Sequence, residues 1–354
     1  MNKEHLRSIF YHFLIWTFAF AFWNLLRNFG QEVIRPAEIS FLQYVRVNVA
    51  MGLFAGIAFG SLSYFIEKNV VKRTTFGQAI LFGVFTYLIA IILFISFGMR
   101  VISLVVGIEL NWETYKQFVF TKQILLFIFY CFLVGFIVDF VKQIDKKFGP
   151  GNLWRMLKGE FYHPKEDEKI FMFLDLKDST RIAEKLGHLL YSEMIQDCFQ
   201  DLEVVQEYHA EVYQYVGDEA VLTWSKEVGI ENSNCLRAYF DFKKRLLDRS
   251  AYYEKKYGLI PQFKAGLNCG KIVVAEVGEI KREIAYHGDT INTAARIQGQ
   301  CNELEKSLLI SEFLKNCLAS HNGFLIEHVG NLLLKGKVET VNVYSVEVST
   351  STEE

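Results

Sequence analysis

The chain has 354 residues, of which 51% are hydrophobic and 22% are charged, and its formal net charge is -2. This length predicts roughly two domains, and the near-neutral charge argues against a nucleic acid partner, which would require a basic surface. The apolar residues are concentrated before position 148, so we expect the two parts of the chain to occupy different environments.

The N-terminal part contains four apolar stretches that are long enough to cross a bilayer core of about 30 Å. They cover residues 9–26, 47–66, 74–99 and 119–138. The last stretch includes Lys122, whose long side chain could reach the membrane interface. The first lacks a small-residue cleavage pattern and is too long for a signal peptide, so we interpret it as a retained helix. Residues 1–141 are therefore predicted to form a four-helix transmembrane domain in a lipid bilayer.

The distribution of basic residues indicates the orientation of this domain, because cytoplasmic loops carry an excess of Lys and Arg. An even number of spans places both termini on one side, and that side would carry Lys3, Arg7, Lys68, Lys72, Arg73, Lys142, Lys146 and Lys147. The other side would carry Arg27, Arg35, Arg46, Arg100, Lys116 and Lys122. The chain is thus predicted to be an integral protein of the cytoplasmic membrane with both termini in the cytosol. We expect His12 and Arg46 to lie at the membrane interface.

A linker is predicted over residues 142–168, because Gly149, Pro150 and Gly151 would end or redirect the last apolar helix. The amphipathic segment that follows, residues 153–161, could relay a signal from the membrane or could simply pack on the next domain. Residues 169–348 form that domain and residues 349–354 a short tail.

The C-terminal domain alternates short β-like runs with longer helical ones, which is typical of an α+β fold with helices packed on a mixed sheet. In chain order we predict a strand at 170–174, a helix at 179–209, a hairpin at 211–224, a helix at 229–257, strands within 263–277, a helix at 290–304, and strands at 308–311 and within 325–348. The six cysteines show no spacing typical of metal ligands, and we assign them no role.

Asp175 is the first candidate for chemistry, because it ends a buried strand just before a helix opens at Ser179 and Thr180. A carboxylate at a strand end can hold a metal ion while the first N–H groups of the helix face phosphate oxygens. The same segment also has the composition of an ordinary helix cap. On its own, therefore, it leaves both interpretations open.

Two further segments make the metal interpretation more specific. Asp218 follows Gly217 at the tip of the predicted hairpin, where Gly-Asp is also a common turn dipeptide. Asn292 and Arg296 are four residues apart and so share one face of a predicted helix. An amide and a guanidinium in this arrangement could orient a sugar and neutralise a phosphate.

The three motifs FxDLxxST, GDE and GDTxNxAAR, in this order and at this spacing, resemble the catalytic domain of the class III adenylate and guanylate cyclases. The resemblance covers residues 168–348 and implies the ferredoxin-like α+β fold of that family. It also implies that Asp175, Asp218 and the backbone carbonyl of Leu176 hold two Mg²⁺ or Mn²⁺ ions per site. The cytosolic supply of nucleotide then supports the orientation inferred from the basic residues.

The resemblance implies a role for each remaining motif residue. Asn292 would orient the ribose, Arg296 would stabilise the transition state, and Lys335 would bind the terminal phosphates. Lys271 lies where some members carry a further phosphate-binding base, and Thr180 belongs to the phosphate-facing helix start. In this family the acids and the Asn/Arg pair of one site come from different subunits, so a head-to-tail homodimer is implied.

The sequence departs from the family at the two positions that read the base. Adenylate cyclases usually carry Lys and Asp or Thr there and guanylate cyclases Glu and Cys, whereas this chain has Gln214 and Ala285. A glutamine amide could satisfy either purine, but it lacks the carboxylate that would receive the donors of guanine. We therefore expect ATP to be the substrate, with GTP, dual specificity, or a catalytically silent nucleotide-binding sensor as alternatives. The absence of a GGDEF run argues against a diguanylate cyclase.

Overall fold

The computed structural model describes residues 3–28, 41–69, 74–106, 111–119, 121–149, 151–318, 323–333 and 339–349. Two compact units divide the chain, Met1–Phe148 and Gly149–Glu354. The first unit is helical, with α1 (Lys3–Asn28), α2 (Phe41–Asn69), α3 (Phe76–Val106), α4 (Trp112–Val119) and α5 (Lys122–Phe148).

Four of these helices are long and apolar enough to cross a membrane, over His5–Leu26, Asn48–Lys68, Phe76–Leu93 and Lys122–Asp145. Many of their large apolar side chains point outward; Phe18 and Phe65, for example, are 73% and 61% exposed. A soluble protein rarely exposes so much continuous apolar surface. The predicted four-helix N-terminal domain is therefore confirmed as four apolar helices.

A buried polar network joins the helices of this unit. His12, predicted to lie at the interface, is instead fully buried and is 2.9 Å from the hydroxyl of Tyr87. Tyr87 donates to Asp139 at 3.3 Å, and Lys142 donates to Ser63 at 2.8 Å. Charged groups among apolar helices are tolerated only when they are paired in this way.

The second unit begins with α6 (Asn152–Leu157) and is built on one mixed sheet of eight described strands. These are β1 (Lys165–Leu176), β2 (Glu211–Val216), β3 (Glu219–Ser225), β4 (Phe263–Val277), β5 (Glu283–His287), β6 (Leu308–Ser311), β7 (Phe324–Leu332) and β8 (Val341–Val348). The strand order is β2-β3-β1-β4-β6-β8-β7, with β5 paired to β4. The predicted α+β fold is confirmed.

The remaining helices are α7 (Ser179–Leu186), α8 (His188–Asp201), α9 (Lys226–Ile230), α10 (Asn234–Asp248), α11 (Ser250–Tyr257), α12 (Asp289–Gly299) and α13 (Glu312–Cys317). The single helix predicted over 179–209 is wrong. Gly187 has φ 73° and ψ 162°, which no α-helix accommodates, so the chain breaks there into α7 and α8. The helix predicted over 229–257 breaks similarly where Asn232 and Ser233 adopt positive φ.

The two faces of the sheet carry different helices because side chains alternate along each strand. Met172 and Leu174 of β1 face a core that also contains residues of α8, α10 and α11. Phe171 and Phe173 face the other side, where Ala294 of α12 packs. Asp175 follows this alternation and therefore lies on the same face of the sheet as α12.

Candidate active site

Three charged residues lie side by side across the sheet on the α12 face. In the strand register Asp175 of β1 is opposite Glu219 of β3 on one side and Lys264 of β4 on the other. The ammonium of Lys264 is 3.2 Å from Asp175 Oδ2, and its side chain is only 12% exposed. Across the sheet the row therefore consists of two acids, Glu219 and Asp175, followed by one base, Lys264.

Asp218 is placed next to this row by a tight turn between β2 and β3, in which Gly217 has φ 63°. Its Oδ2 atom is buried and has no hydrogen-bond partner among the described residues. A buried carboxylate oxygen without a donor is costly unless a cation binds it. Burial, followed by the charge of Asp218, raises the pKa of Tyr191 of α8 to about 12.

Glu219 is affected by the other two carboxylates. Burial, followed by the negative charges of Asp175 and Asp218, raises the pKa of Glu219 from 4.5 to about 7, although Lys264 opposes the shift. Like charges in one site disfavour ionisation of the most buried member. Glu219 therefore lies in a negative environment that Lys264 only partly offsets.

These residues fit a divalent metal centre. Carboxylate oxygens are the ligands that Mg²⁺ and Mn²⁺ prefer, and Asp218 offers one without any other partner. Leu176 ends β1 with its side chain buried, so only its backbone could contribute a ligand. The described residues contain no group of three or more His, Cys, Asp or Glu side chains arranged around one metal position. Water, backbone carbonyls or substrate oxygens would complete the coordination of a bound cation.

The start of α7 is open to an anion. Asp178 precedes the helix with φ 58°, and its side chain makes no capping hydrogen bond. Thr180, in the first helical turn, is exposed. The first N–H groups of a helix need partners and carry a partial positive charge, which favours a phosphate at this position.

Helix α12 presents its two faces to different surroundings. Thr293, Ile297 and Gln298 are buried toward the sheet, and Gln298 Nε2 donates to Asp175 Oδ2 at 3.1 Å. Asn292 is exposed and Arg296 is half-buried on the opposite face. Arg296 is two residues from Gln298, or about 200° around the helix. Asn292 and Arg296 therefore point away from Asp175 of their own chain.

The other predicted residues lie at different distances from Asp175. Lys271 is opposite Glu168, seven residues along β4 from Lys264, so roughly 24 Å of strand separate it from the position opposite Asp175. Ala285 pairs with Ala275, toward the far end of β4. Gln214 is exposed on β2, where it pairs with Val221 of β3, four residues before Asp218. Lys335 lies outside the described residues.

Lys264, Gln298 and Glu219 were not predicted as site residues. Each reaches the site through strand register or helix packing, and Gln298 is 123 positions from the carboxylate that it contacts. Only Glu219 had a sequence signal, as the residue after Asp218 in the GDE motif.

The chain is similar to several known proteins. Residues 161–347 match the adenylate and guanylate cyclase catalytic domain. Over 210 residues the chain is 33% identical to adenylate cyclase 2 of Rhizobium meliloti (strain 1021), covering 59% of this chain and 58% of the relative. Adenylate cyclase 1 of the same organism is 27% identical over 183 residues, which cover 49% of this chain and 27% of that protein.

A solved structure of a bacterial light-regulated adenylyl cyclase shares the fold. Its TM-score is 0.53 at 20% identity, and the similarity covers 62% of this chain and 65% of that one. The present chain thus spans less than two thirds of the length of these relatives. The family match, in contrast, extends over more than half of the present chain. Together with the acids at the end of β1 and in the β2–β3 turn, this match shows that the chain belongs to the class III adenylate and guanylate cyclase family.

Proposed function

We propose that the chain is a membrane-bound adenylate cyclase that converts ATP into 3′,5′-cyclic AMP and pyrophosphate. The observation that carries this proposal is the division of one protomer into two half-sites. Asp175 lies near the end of β1 and Asp218 in the turn between β2 and β3, whereas Asn292 and Arg296 project from the outer face of α12. The adenylate cyclase relative in Rhizobium meliloti supports the choice of reaction.

We infer that the half-sites of two chains meet. Arg296 of one protomer cannot face a nucleotide held at its own Asp175, because Gln298 occupies the side of α12 that faces Asp175. A head-to-tail homodimer would bring the outer face of α12 of one chain against the acids of the other, giving two equivalent sites. This geometry agrees with the shared sites implied by the sequence motifs.

In the proposed reaction, the ribose 3′-hydroxyl gives its proton to water and its oxygen attacks the α-phosphorus in line. The new O–P bond forms, and the bond to pyrophosphate breaks so that pyrophosphate leaves. Asp175 and Asp218 would hold two Mg²⁺ or Mn²⁺ ions, which activate the 3′-hydroxyl and bind the triphosphate when present. Asn292 would orient the ribose, and Arg296 would neutralise charge that develops on the phosphate.

Several residues are suited to bind the triphosphate. Lys264 lies beside Asp175, and the open start of α7 around Thr180 lies directly after it. Both place positive potential next to the proposed metal ligands, where phosphate oxygens would approach. Lys271 and Lys335 stay proposed contacts, and Lys271 is suited only to a site other than that of its own Asp175.

The base is proposed to be adenine, read by Gln214 with little help from position 285. The exposed amide of Gln214 can both donate and accept, while Ala285 offers no polar side-chain group. Losing one neutral base-reading hydrogen bond weakens discrimination by about 0.5 to 1.5 kcal/mol. ATP is thus proposed as the preferred rather than the exclusive substrate.

The four apolar helices would anchor the enzyme in the cytoplasmic membrane with both termini and the catalytic domain in the cytosol. The outward-facing apolar side chains support the anchor. The excess of basic residues on the proposed cytosolic side supports the orientation.

The experiment that tests the activity uses the purified full chain in detergent with ATP or GTP and Mn²⁺ or Mg²⁺. We expect cyclic AMP and pyrophosphate in equal amounts, and loss of both in an Asp175→Asn variant. If cyclic GMP were the main product, the preferred substrate would be GTP and the proposed preference for ATP would be wrong. Nucleotide binding without any cyclic product would favour a silent sensor instead.

A further inference from the structure

Gln298 contacts the proposed metal centre but has no role in the reaction proposed above. It is a buried polar side chain on α12, only 7% exposed, and its Nε2 atom donates to Asp175 Oδ2 at 3.1 Å. Lys264 approaches the same oxygen at 3.2 Å. Among the described residues both donors reach Oδ2, and none reaches Oδ1. The Asp175 carboxylate is therefore held in one orientation with the second oxygen directed away from these donors.

The position of Gln298 is fixed by backbone packing. A Cβ atom on Gly266 of β4 would lie 2.2 Å from the backbone nitrogen of Gln298, so helix and strand touch at this point. The start of α12 is also anchored, because Thr290 donates to the carbonyl of Lys271 at 2.6 Å and Asn268 donates to the carbonyl of Thr290 at 3.0 Å. With both ends of the helix fixed on the sheet, the amide of Gln298 has little freedom to leave Asp175.

We propose that Gln298 is a positioning residue for the metal centre, which orients the Asp175 carboxylate so that one oxygen stays available to a divalent cation. This inference rests on the proposed cyclase function. Residues that hydrogen-bond a metal ligand fix its orientation, and their loss typically weakens metal binding by about 10- to 100-fold. A hydrogen bond to a charged group is strong enough for such an effect.

The location of Gln298 has a consequence that a general stabilising role would not have. The same helix carries Asn292 and Arg296 on its outer face, where they serve the other site of the proposed dimer. Gln298 therefore acts on the site that contains its own Asp175 and not on the site that contains its own Arg296. One helix thus contributes to both active sites through opposite faces.

The first test measures Mn²⁺ binding to the full chain by electron paramagnetic resonance, which does not depend on turnover. Gln298→Met keeps the length and volume of the side chain but removes the amide donor. We expect Mn²⁺ to bind about tenfold more weakly. Gln300→Met, just after the end of α12, is the matched control and should bind Mn²⁺ like the wild type. Unchanged Mn²⁺ affinity in Gln298→Met would overturn the proposal.

The second test uses mixed dimers, purified through two different tags, of an Asp175→Asn chain with an Arg296→Ala chain. Only one complete site forms, with Asp175 from the second chain and Arg296 from the first. We expect Gln298→Met to lower activity about tenfold when it is in the chain that supplies Asp175, and to have little effect in the other chain. Equal losses from both chains, or the reverse asymmetry, would show that Gln298 acts through folding or through Arg296.

The two tests separate this inference from the function on which it rests. If mixed dimers with an intact Gln298 are inactive, the shared-site cyclase is wrong, while Mn²⁺ affinity still decides whether Gln298 orients Asp175. If the Gln298→Met homodimer does not fold well enough for the Mn²⁺ measurement, one mixed dimer is still informative. Activity of the dimer that carries Gln298→Met in its Asp175→Asn chain reports whether the altered helix still assembles.

Discussion

Glu219 gives the most quantitative prediction, because its carboxyl is partly buried beside two other acids. Burial and the charges of Asp175 and Asp218 raise its pKa from 4.5 to about 7. Between these two values the folded chain holds a proton that the unfolded chain has released. The contribution of Glu219 to the free energy of unfolding is therefore fully present below pH 4.5 and is lost as the pH rises through 7.

The size of the effect follows from the same numbers. At pH 8 this pKa shift lowers the free energy of unfolding by at most about 3 kcal/mol. Because the side chain is only partly buried, solvent screening reduces this to roughly 1 to 2 kcal/mol. Glu219→Gln removes the titrating group while keeping the shape, so the variant should be more stable than the wild type at pH 8 and equally stable at pH 4.5. For a unit of this size, the midpoint temperature of thermal unfolding at pH 8 should be roughly 4 °C higher in Glu219→Gln than in the wild type.

The assay is thermal unfolding of the full chain in detergent with a chelator present, followed by the loss of the β-sheet circular dichroism signal. All described strands belong to the catalytic unit, so this signal reports that unit. Added Mn²⁺ should reduce the difference, because a nearby cation favours the ionised carboxylate. The reasoning would be refuted if the wild type and Glu219→Gln showed the same change in midpoint between pH 4.5 and pH 8.

Three further outcomes are expected. Asp201→Ala should destabilise the catalytic unit by about 3 kcal/mol in the same unfolding assay, because Arg249 loses both of its contacts to that buried carboxylate, at 2.6 and 2.7 Å; a loss below 1 kcal/mol would contradict this. Gly83→Val should abolish monodisperse protein in detergent chromatography, since a Cβ there would lie 1.7 Å from a carboxylate oxygen of α5, whereas Gly77→Ala, with open space around it, should elute like the wild type. Gln214→Lys should raise the ATP-to-GTP ratio of kcat/KM by about tenfold through a charged base contact, and an unchanged ratio would remove position 214 from base recognition.

The candidate site residues that the sequence indicates are those that depend on local spacing. Asp175 and Asp218 stand out because each follows a β-like run at a turn or helix start, and Asn292 and Arg296 because they are four residues apart. The four apolar helices are equally local signals. These predictions needed no knowledge of which strands are neighbours.

Other features depend on contacts that no local pattern records. Lys264 reaches Asp175 only because β4 pairs with β1 in one particular register. Gln298 reaches Asp175 because a glycine in β4 allows α12 to approach the sheet. Likewise, the burial of His12 follows from partners on two other helices, and a histidine in an apolar stretch gives no sign of them.

The measurement that tests the central claim most directly is complementation between two inactive chains. Asp175→Asn and Arg296→Ala each remove one half-site, so each should be inactive as a homodimer. Their doubly tagged mixed dimer contains one complete site and should regain about half of the wild-type rate of cyclic AMP formation. A mixed dimer, confirmed by both tags, that forms no cyclic AMP would contradict an active site shared between two chains.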